Sequence, residues 1–292
     1  MRRIATLALI VLFGSTPVIA APPKAISTDP VPDKAHPATL VVLHIPSAGA
    51  IINGIAYVPT GAGPHPVLVI CHGLPGNEKN LDLAQAVRRA GWVAVTFNYR
   101  GSWGSPGSFS FSGSLEDAAA VLDYLRTSAT ASTLRADPKR IVLAGHSMGG
   151  WVTVKSAESD SSLMGAILIS MADMSRVAGL AHSDVAAQMA GDMESLAGVT
   201  ADSMANEVET NSATYSLRDH LGALRDTPLL VLTSDDGLAS HAEALVADIR
   251  AQGGRHVTTV HVATDHGWSD RRIELETRII RWLGQLQAPA RH

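Results

Sequence analysis

The chain has 292 residues, of which 46% are hydrophobic, 17% are charged and one is a cysteine. A single cysteine excludes an intrachain disulfide framework and a zinc site built from cysteines, and the hydrophobic content excludes a disordered chain. The 23 basic and 27 acidic residues leave no basic stripe for a nucleic-acid backbone. The composition therefore predicts a globular protein of one domain with an insertion.

The first 20 residues have the pattern of a cleavable secretory signal peptide. Arg2 and Arg3 precede an apolar run at 4–14, and small residues lead to Ala20. The run is shorter than the roughly 20 residues that a membrane-spanning helix needs. We therefore expect cleavage after Ala20 and secretion, with the periplasm as the expected compartment. Residues 21–38 contain five prolines and are predicted to form an exposed linker.

From residue 39 to residue 288 the pattern is one of strands alternating with helices. Two opening segments, 40–45 and 51–58, are predicted to form an antiparallel pair. Short apolar runs typical of buried parallel strands follow at 67–71, 92–97, 140–144, 166–169, 229–233 and 257–262. Helical patterns lie at 81–90, 115–126, 151–158, 239–251 and 270–286. This alternation predicts an α/β fold: a doubly wound, mostly parallel sheet of about eight strands with helices on both faces.

One segment, 171–227, interrupts the alternation because it has helical patterns but no strand, and it is predicted to be a small helical lid. It carries nine acidic and three basic residues and five of the eight methionines. The acidic residues fit either a mouth that favours cationic substrates or a solvated helix face. The methionines fit either an apolar acyl pocket or packing of the lid on the body.

A candidate nucleophile follows the run at 140–144, in the sequence Gly145-His146-Ser147-Met148-Gly149. This sequence matches Gly-x-Ser-x-Gly, in which a strained strand-to-helix turn lifts the serine hydroxyl out of the sheet. An ordinary helix cap is the alternative role for Ser147, but a cap does not explain the two flanking glycines. The turn also lies at the carboxyl ends of the predicted strands, where active sites of open parallel sheets are found.

A serine nucleophile needs a base, and the base needs an acid that orients it. His266 follows the last predicted strand on the same sheet edge as Ser147 and is the predicted base. Asp235 and Asp236 follow the run at 229–233; Asp236 is the preferred acid, Asp235 is the alternative, and the residue not used is expected to cap the next helix. His146 is expected to pack or hydrogen-bond locally. Other histidines of the linker, lid and helices are expected on the surface: His36, His182, His220, His241 and His292.

The order Ser147, Asp236, His266, with the elbow and a lid after the next strand, resembles the α/β-hydrolase superfamily. The similarity covers about residues 40–286 and is greatest for dienelactone-hydrolase-like and serine-aminopeptidase-like members. Those proteins carry a His-Gly motif after an early strand, here His72-Gly73, and an Arg-Gly loop after the next, here Arg100-Gly101. The acid loop departs from the usual Gly-x-x-Asp, which leaves the choice between the two aspartates open.

The resemblance implies roles for further residues. The backbone N–H groups of Leu74 and Met148 would donate to the oxyanion, and two such fixed donors are worth around 10²–10³ in rate each. His72 and Gly73 would support this loop. Arg100 would pair with Asp117 to brace the glycine-rich loop that follows.

No phosphate-binding glycine loop and no His-Glu-x-x-His spacing occurs, so the sequence predicts neither a cofactor nor a metal. It predicts an exported serine hydrolase that cleaves carboxylic esters of small to medium substrates through an acyl-enzyme. The alternatives are a small-substrate exopeptidase or amidase, an acyltransferase, and a non-catalytic binding protein on the same fold. The expected partner is a small ester or a short peptide, with no nucleic acid and no membrane span in the mature chain.

Overall fold

An eight-stranded sheet runs through the centre of the computed structural model, which describes residues 21–218 and 221–287. The strands are β1 (Thr39–Ser47), β2 (Ala50–Val58), β3 (His65–Cys71), β4 (Val93–Phe97), β5 (Ala136–His146), β6 (Gly165–Ile169), β7 (Leu229–Thr233) and β8 (Val257–His261). Their spatial order is β1-β2-β4-β3-β5-β6-β7-β8. β2 pairs antiparallel with β1 and β4, and all other neighbours are parallel. The predicted mostly parallel sheet is confirmed.

Helices cover both faces of this sheet. They are α1 (Lys24–Ser27), α2 (Leu81–Arg89), α3 (Phe111–Arg126), α4 (Ser128–Leu134), α5 (Met148–Ser159), α6 (His182–Ala190), α7 (Ala201–Thr210), α8 (Ser212–Tyr215), α9 (Gly222–Asp226), α10 (Ala239–Ala251) and α11 (Arg272–Gln287). Two 3₁₀ segments, Met174–Gly179 and Met193–Ser195, join the lid helices.

Alternate residues of the central strands enter two separate apolar layers. In β3, Val67 and Val69 pack into the layer that contains residues of α3 and α5, whereas Leu68 and Ile70 pack into the layer with α2 and α11. Every residue of β4, β6 and β7 is buried. The near-continuous apolar runs of these three strands therefore follow from their burial on both faces.

The lid lies between β6 and β7 and consists of short helices without a strand in its described part. Its backbone is joined to the glycine-rich loop after β4, because the N–H of Ala197 donates to the carbonyl of Gly101 at 2.8 Å and the N–H of Phe109 donates to the carbonyl of Ala197 at 2.9 Å. The N–H of Trp103 also donates to the carbonyl of Ser195, at 3.0 Å. These main-chain bonds hold one side of the lid against the body.

A lid carboxylate makes a second attachment. Glu207 of α7 accepts hydrogen bonds from the N–H groups of Phe111 and Ser112 at 3.1 and 2.9 Å, and from the hydroxyl of Tyr215 at 2.8 Å. The two N–H groups belong to the first turn of α3, where a helix has unsatisfied donors and favours a negative charge. Glu207 therefore caps a body helix from the lid.

Residues 21–38 differ from the predicted exposed linker. Lys24–Ser27 forms one helical turn, and Ala25 and Ile26 pack against the apolar layer of α2 and α11. Arg89 also donates to the carbonyls of Ala25 and Ile26. The segment is otherwise exposed or half-buried. This one turn differs from a linker because its two apolar side chains partly cover the layer of α2 and α11. The predicted signal peptide at 1–20 lies outside the described residues, and no described helix combines the length and hydropathy of a bilayer crossing.

Candidate active site

Ser147 occupies a strained turn between β5 and α5. Its φ and ψ are 57° and −124°, which a residue with a side chain rarely adopts. The backbone around it fixes this conformation: its N–H donates to the carbonyl of Ile169 at 3.0 Å, and its own carbonyl accepts from the N–H groups of Gly150 and Ala172 at 2.9 and 3.0 Å. The turn therefore presents the side chain at the carboxyl edge of the sheet.

The two glycines of the motif are required by close packing. A Cβ on Gly145 would lie 1.9 Å from the carbonyl oxygen of Gly149, and a Cβ on Gly149 would lie 2.2 Å from the carbonyl oxygen of Cys71. Both contacts are with backbone, which cannot move aside cheaply. The Gly-x-Ser-x-Gly spacing is thus explained by close backbone contact among the strand, the turn and the helix, which leaves no room for a side chain at either glycine.

His266 and Asp236 meet at the same edge. Nδ1 of His266 lies 2.8 Å from Oδ2 of Asp236. The Asp236 side chain is 2% exposed and that of His266 is 40% exposed, so the carboxylate is inside and the imidazole reaches the surface of the site. With its proton on Nδ1, the ring donates to the carboxylate and keeps Nε2 as an acceptor.

A buried hydrogen-bond network holds Asp236. The N–H of Leu238 donates to its Oδ1 at 2.9 Å, and the hydroxyls of Ser170 and Ser234 also interact with the carboxylate and lie 2.7 Å from each other. Trp268 Nε1 donates to the Ser170 hydroxyl at 3.1 Å. Burial alone would raise the pKa of Asp236, but the hydrogen bonds from His266, Leu238 and the two serines outweigh it and lower that pKa well below its usual value.

Asp235, the alternative acid, contacts a different histidine. Its Oδ1 lies 2.9 Å from Nε2 of His261, and its side chain is 61% exposed. It makes no cap at α10, where Leu238 is the N-cap residue without a side-chain bond, so the expectation that the unused aspartate caps this helix was wrong. Of the two candidates, Asp236 is the one that the fold brings to His266.

His146 has a long-range role in place of the expected local one. It is buried, and its Nε2 donates to the carbonyl of His266 at 2.8 Å, while the two rings lie 4.6 Å apart. Burial, with repulsion from His266, lowers the pKa of His146 to about 4. His146 is therefore neutral near pH 7 and anchors the loop that carries His266, 120 residues away in the chain.

The two predicted oxyanion donors border the same cavity as Ser147. Met148 is the first residue of α5, so its N–H has no partner within the helix. Among the described residues, neither the N–H of Leu74 nor that of Met148 donates to a protein acceptor. Both groups remain available to an oxygen bound beside Ser147.

The loop before Leu74 touches the nucleophile turn. A Cβ on Gly73 would lie 2.8 Å from Cβ of Ser147, so only glycine allows this approach. His72 is buried, and its Nδ1 donates to the carbonyl of Gly73 at 2.7 Å. Burial lowers the pKa of His72 to about 4. His72 is thus a neutral support beneath the loop.

The predicted pair of Arg100 and Asp117 is present in the structure. Nε and the backbone N–H of Arg100 both donate to the Asp117 carboxylate at 2.7 Å, and that carboxylate is fully buried. Arg100 also donates to the carbonyl of Gly113 at 3.1 Å. The pair connects the glycine-rich loop to α3.

A cavity of about 360 Å³ opens between Ser147 and the lid. Much of its wall is apolar and includes Met174 and Met189, which are also buried in the core, so these two methionines line the cavity and pack the lid on the body. Besides Ser147, its polar members are Asp173, Arg176, Gln188, Asp192 and His241. Of the lid acids in the described residues, Asp173 and Asp192 alone line this cavity.

His241 was predicted to lie on the surface, and this was wrong. It is half-buried, and its Nδ1 accepts the N–H of Asp173 at 3.0 Å. Sequence reasoning also missed Ser170, Ser234 and Trp268. The first two directly follow β6 and β7, and this position at the carboxyl ends of neighbouring strands was the signal that could have found them. His220 and His292 lie outside the described residues.

Within the described part of the chain, no group of three or more His, Cys, Asp or Glu side chains has the arrangement of a metal site. The polar groups at this edge of the sheet are the Ser147 hydroxyl, the His266 imidazole, the Asp236 carboxylate and the N–H groups of Leu74 and Met148. This set suits nucleophilic acyl transfer.

Comparison with known proteins adds relatives and structural neighbours. An uncharacterized protein of Mycobacterium tuberculosis is 31% identical over 131 residues, which are 44% of this chain and 45% of that protein. The chain therefore aligns with less than half the length of this curated relative. A thermostable carboxylesterase cloned from a metagenomic library has a TM-score of 0.66 at 21% identity and covers 91% of this chain and 93% of its own. An esterase of Pyrobaculum calidifontis has a TM-score of 0.65 at 19% identity, with 87% and 88% covered.

At these identities the structural neighbours show the fold alone. The family evidence is more direct, because the model of the alpha/beta hydrolase family matches residues 68–278, well over half of the chain. The chain belongs to the alpha/beta hydrolase family.

Proposed function

We propose that this protein is a serine hydrolase that cleaves carboxylic esters of small to medium substrates. The observation that carries the proposal is the 2.8 Å contact between Nδ1 of His266 and Oδ2 of Asp236 at the sheet edge that also bears the strained Ser147. A serine, a histidine and a buried carboxylate in this relation perform acyl transfer on several unrelated folds.

In the proposed reaction His266 takes the proton of the Ser147 hydroxyl as the oxygen attacks the ester carbonyl. The negative carbonyl oxygen is stabilised by the free N–H groups of Leu74 and Met148. His266 then gives its proton to the leaving alcohol, which departs as the acyl-enzyme forms. A water, deprotonated by the same imidazole, releases the acid and restores Ser147.

Asp236 keeps the proton of His266 on Nδ1 and stabilises the imidazolium that forms in each step. Its lowered pKa means that the carboxylate is ionised throughout the pH range in which an imidazole can act as a base. The hydrogen bonds from buried serine hydroxyls and the Leu238 N–H support that role.

Two features favour small esters over other acyl substrates. The cavity of about 360 Å³ is near the lower end of ligand pockets, which span roughly 300–1,000 Å³. Structural neighbours include proteins named as esterases. A small exopeptidase would use the same residues, so a test of the proposal needs amide substrates as well as esters.

The experiment is a kinetic comparison of the chain from Ala21 onward with its Ser147→Ala variant, on nitrophenyl esters of increasing acyl length and on aminoacyl anilides. We expect ester hydrolysis that falls by about 10⁵-fold or more in kcat when Ser147 is replaced. The control is Ser183→Ala, which changes an exposed lid serine and should leave kcat/KM within about twofold.

Ester hydrolysis that survives in the Ser147→Ala variant would contradict the proposal. Anilide cleavage that exceeds ester cleavage and needs a free amine would replace the esterase assignment by an exopeptidase. The acyl length with the highest kcat/KM measures the usable depth of the cavity.

A further inference from the structure

Two lid carboxylates line the cavity beside Ser147, and they differ in their partners. Asp173 is fully engaged: its Oδ1 accepts from the N–H and the hydroxyl of Ser175 at 3.0 and 2.7 Å, and its Oδ2 lies 3.7 Å from Nε of Arg176. The charge of Arg176 is therefore balanced by Asp173. The pair adds no net charge to the cavity.

Asp192 has no such partner. Among the described residues, its carboxylate makes no hydrogen bond and no ion pair. It is half-buried on the cavity wall, in a lid segment between the buried Met189 and the partly buried Met193. Burial raises the pKa of the Asp192 carboxyl, and no nearby positive charge offsets that effect.

An unpaired, partly desolvated carboxylate costs stability, because it has lost water without gaining a partner. Its neighbours in the cavity, His241 and Arg176, do not relieve it: the Nδ1 of His241 accepts the N–H of Asp173, and burial, with repulsion from Arg176, lowers the pKa of His241. The net charge of the described cavity wall near pH 7 is thus the single negative charge of Asp192.

We propose that Asp192 is a specificity-determining residue that binds a cationic group of the substrate, so that the preferred esters carry an ammonium group on the portion that occupies the lid cavity. This inference rests on the proposed ester hydrolysis at Ser147. The ammonium supplies the missing partner of Asp192, and the apolar wall around it accepts the carbon chain. A neutral ester of the same shape leaves the carboxylate unpaired and is bound less well.

The test uses isosteric ester pairs that differ in charge alone. Nitrophenyl esters whose acyl chains end in a trimethylammonium group are compared with esters that end in a tert-butyl group, over chain lengths of about three to six carbons. We expect the full enzyme to favour the cationic ester in kcat/KM by about tenfold or more at one chain length, since the cationic ester alone places an opposite charge beside the unpaired Asp192 carboxylate.

Three variants make the test specific to Asp192. Asp192→Asn should bring the ratio of kcat/KM for the cationic and the neutral ester close to one. Asp192→Lys should reverse the preference in favour of acyl chains that end in a carboxylate. The matched control is Asp184→Asn, which removes an exposed carboxylate of the same lid and should keep the preference. Thermal unfolding of each variant verifies that the lid is folded.

Binding to the resting protein separates this inference from the proposed function. Hexyltrimethylammonium and hexanol are titrated calorimetrically into the wild-type protein and the Asp192→Asn variant. The inference is supported if the wild-type protein binds the cation more tightly than hexanol and Asp192→Asn loses this preference. That result would support the inference even if no ester were hydrolysed, since a lack of hydrolysis counts against the proposed function alone. The inference is overturned if the wild-type protein and Asp192→Asn bind the cation and the neutral ligand with the same relative affinity. The proposal of ester hydrolysis by Ser147 would be unaffected by that result.

Discussion

The carboxyl edge of the sheet and the lid treat their carboxylates in opposite ways. At the sheet edge, Asp236 is buried and accepts hydrogen bonds from a histidine, a backbone N–H and two serines. On the cavity side of the lid, Asp192 has no partner among the described residues. The edge holds a charge whose partner is part of the protein, whereas the lid offers a charge whose proposed partner is the substrate.

The two regions also differ in what fixes them. The edge rests on parallel strands and on backbone contacts that leave no room for a Cβ at Gly145 or Gly149. The lid rests on short helices, a few main-chain bonds near Ala197 and the Glu207 cap. The proposed catalysis and the proposed substrate selection therefore lie in two differently supported regions, so substitutions in the two regions should have different signatures.

Among substitutions of the carboxylates compared above, the largest expected effect is that of Asp236→Asn. Loss of the carboxylate that orients His266 should lower kcat by about 10⁴-fold, because the imidazole then loses its reactive tautomer and the partner of its positive charge. Asp235→Asn, one residue earlier, removes an exposed carboxylate that contacts His261 instead and should change kcat by less than about twofold. Steady-state ester hydrolysis measures both, and similar losses in the two variants would mean that the acid has been misassigned.

A smaller effect concerns stability against pH, and the two regions should respond with opposite signs. His72 and His146 have folded-state pKa values of about 4, below the ordinary value of 6.5. As the pH falls, these histidines therefore bind protons in the unfolded chain before they do so in the folded protein. Their contribution to the free energy of unfolding is complete above pH 6.5 and falls as the pH drops toward 4, by up to about 1.4 kcal/mol per pH unit for each residue. On the lid, the hydrogen bonds that the His182 ring donates to the carboxylates of Asp202 and Glu209 raise the pKa of His182. Its contribution to stability is therefore present at low pH and is lost as the pH rises.

Urea unfolding at pH 7, 6 and 5 measures this dependence. His146→Gln should reduce the slope of the unfolding free energy against pH by about one proton. An unfolding free energy that stays constant between pH 7 and 5 in the wild-type protein would contradict the burial argument.

The smallest expected effect is that of Glu207→Gln, which weakens the attachment of the lid. Loss of the charge at the first turn of α3 should lower the free energy of unfolding by about 1–2 kcal/mol and should speed proteolysis within 171–227. Glu209→Gln is the control, because Glu209 contacts the exposed His182 and should cost less than about 0.5 kcal/mol. Proteolysis that is equally fast in both variants would show that the cap does not hold the lid.

The sequence predicted the parts of the molecule that are governed by local pattern. The apolar runs located all eight strands, β7 with the observed bounds. Strands buried on both faces, such as β4, β6 and β7, must be apolar throughout. β8 was also predicted to be buried, and this was wrong: it is an edge strand, and its residues are half-buried or exposed. The serine turn was predictable because backbone contact demands glycine on both sides of Ser147. In contrast, α4 was missed, since its Ser- and Thr-rich sequence has low helix propensity and the helix depends on a cap by Thr127 and on burial of Leu134.

Contacts between distant segments were beyond sequence reasoning. Ser170 and Ser234 are 64 residues apart, and nothing in either neighbourhood indicates that the two hydroxyls share one carboxylate. The sequence could favour Asp236 over Asp235 but could not decide between them, because the answer depends on where one loop places two adjacent side chains. Asp192 could be counted among the lid acids but not distinguished from them until its lack of a partner was visible.

The position of Cys71 at the end of β3 determines when the chain is open to oxidation. Thiol oxidation and disulfide exchange both need a thiolate that solvent can reach. In the folded protein, burial raises the pKa of the Cys71 thiol to about 12, and β4 and β5 flank its strand, so neither condition is met. Before those strands pair, the same thiol is accessible and ionises more easily. In an oxidising compartment, covalent cross-linking between chains would therefore compete with closure of the central strands, and completion of the sheet ends that competition.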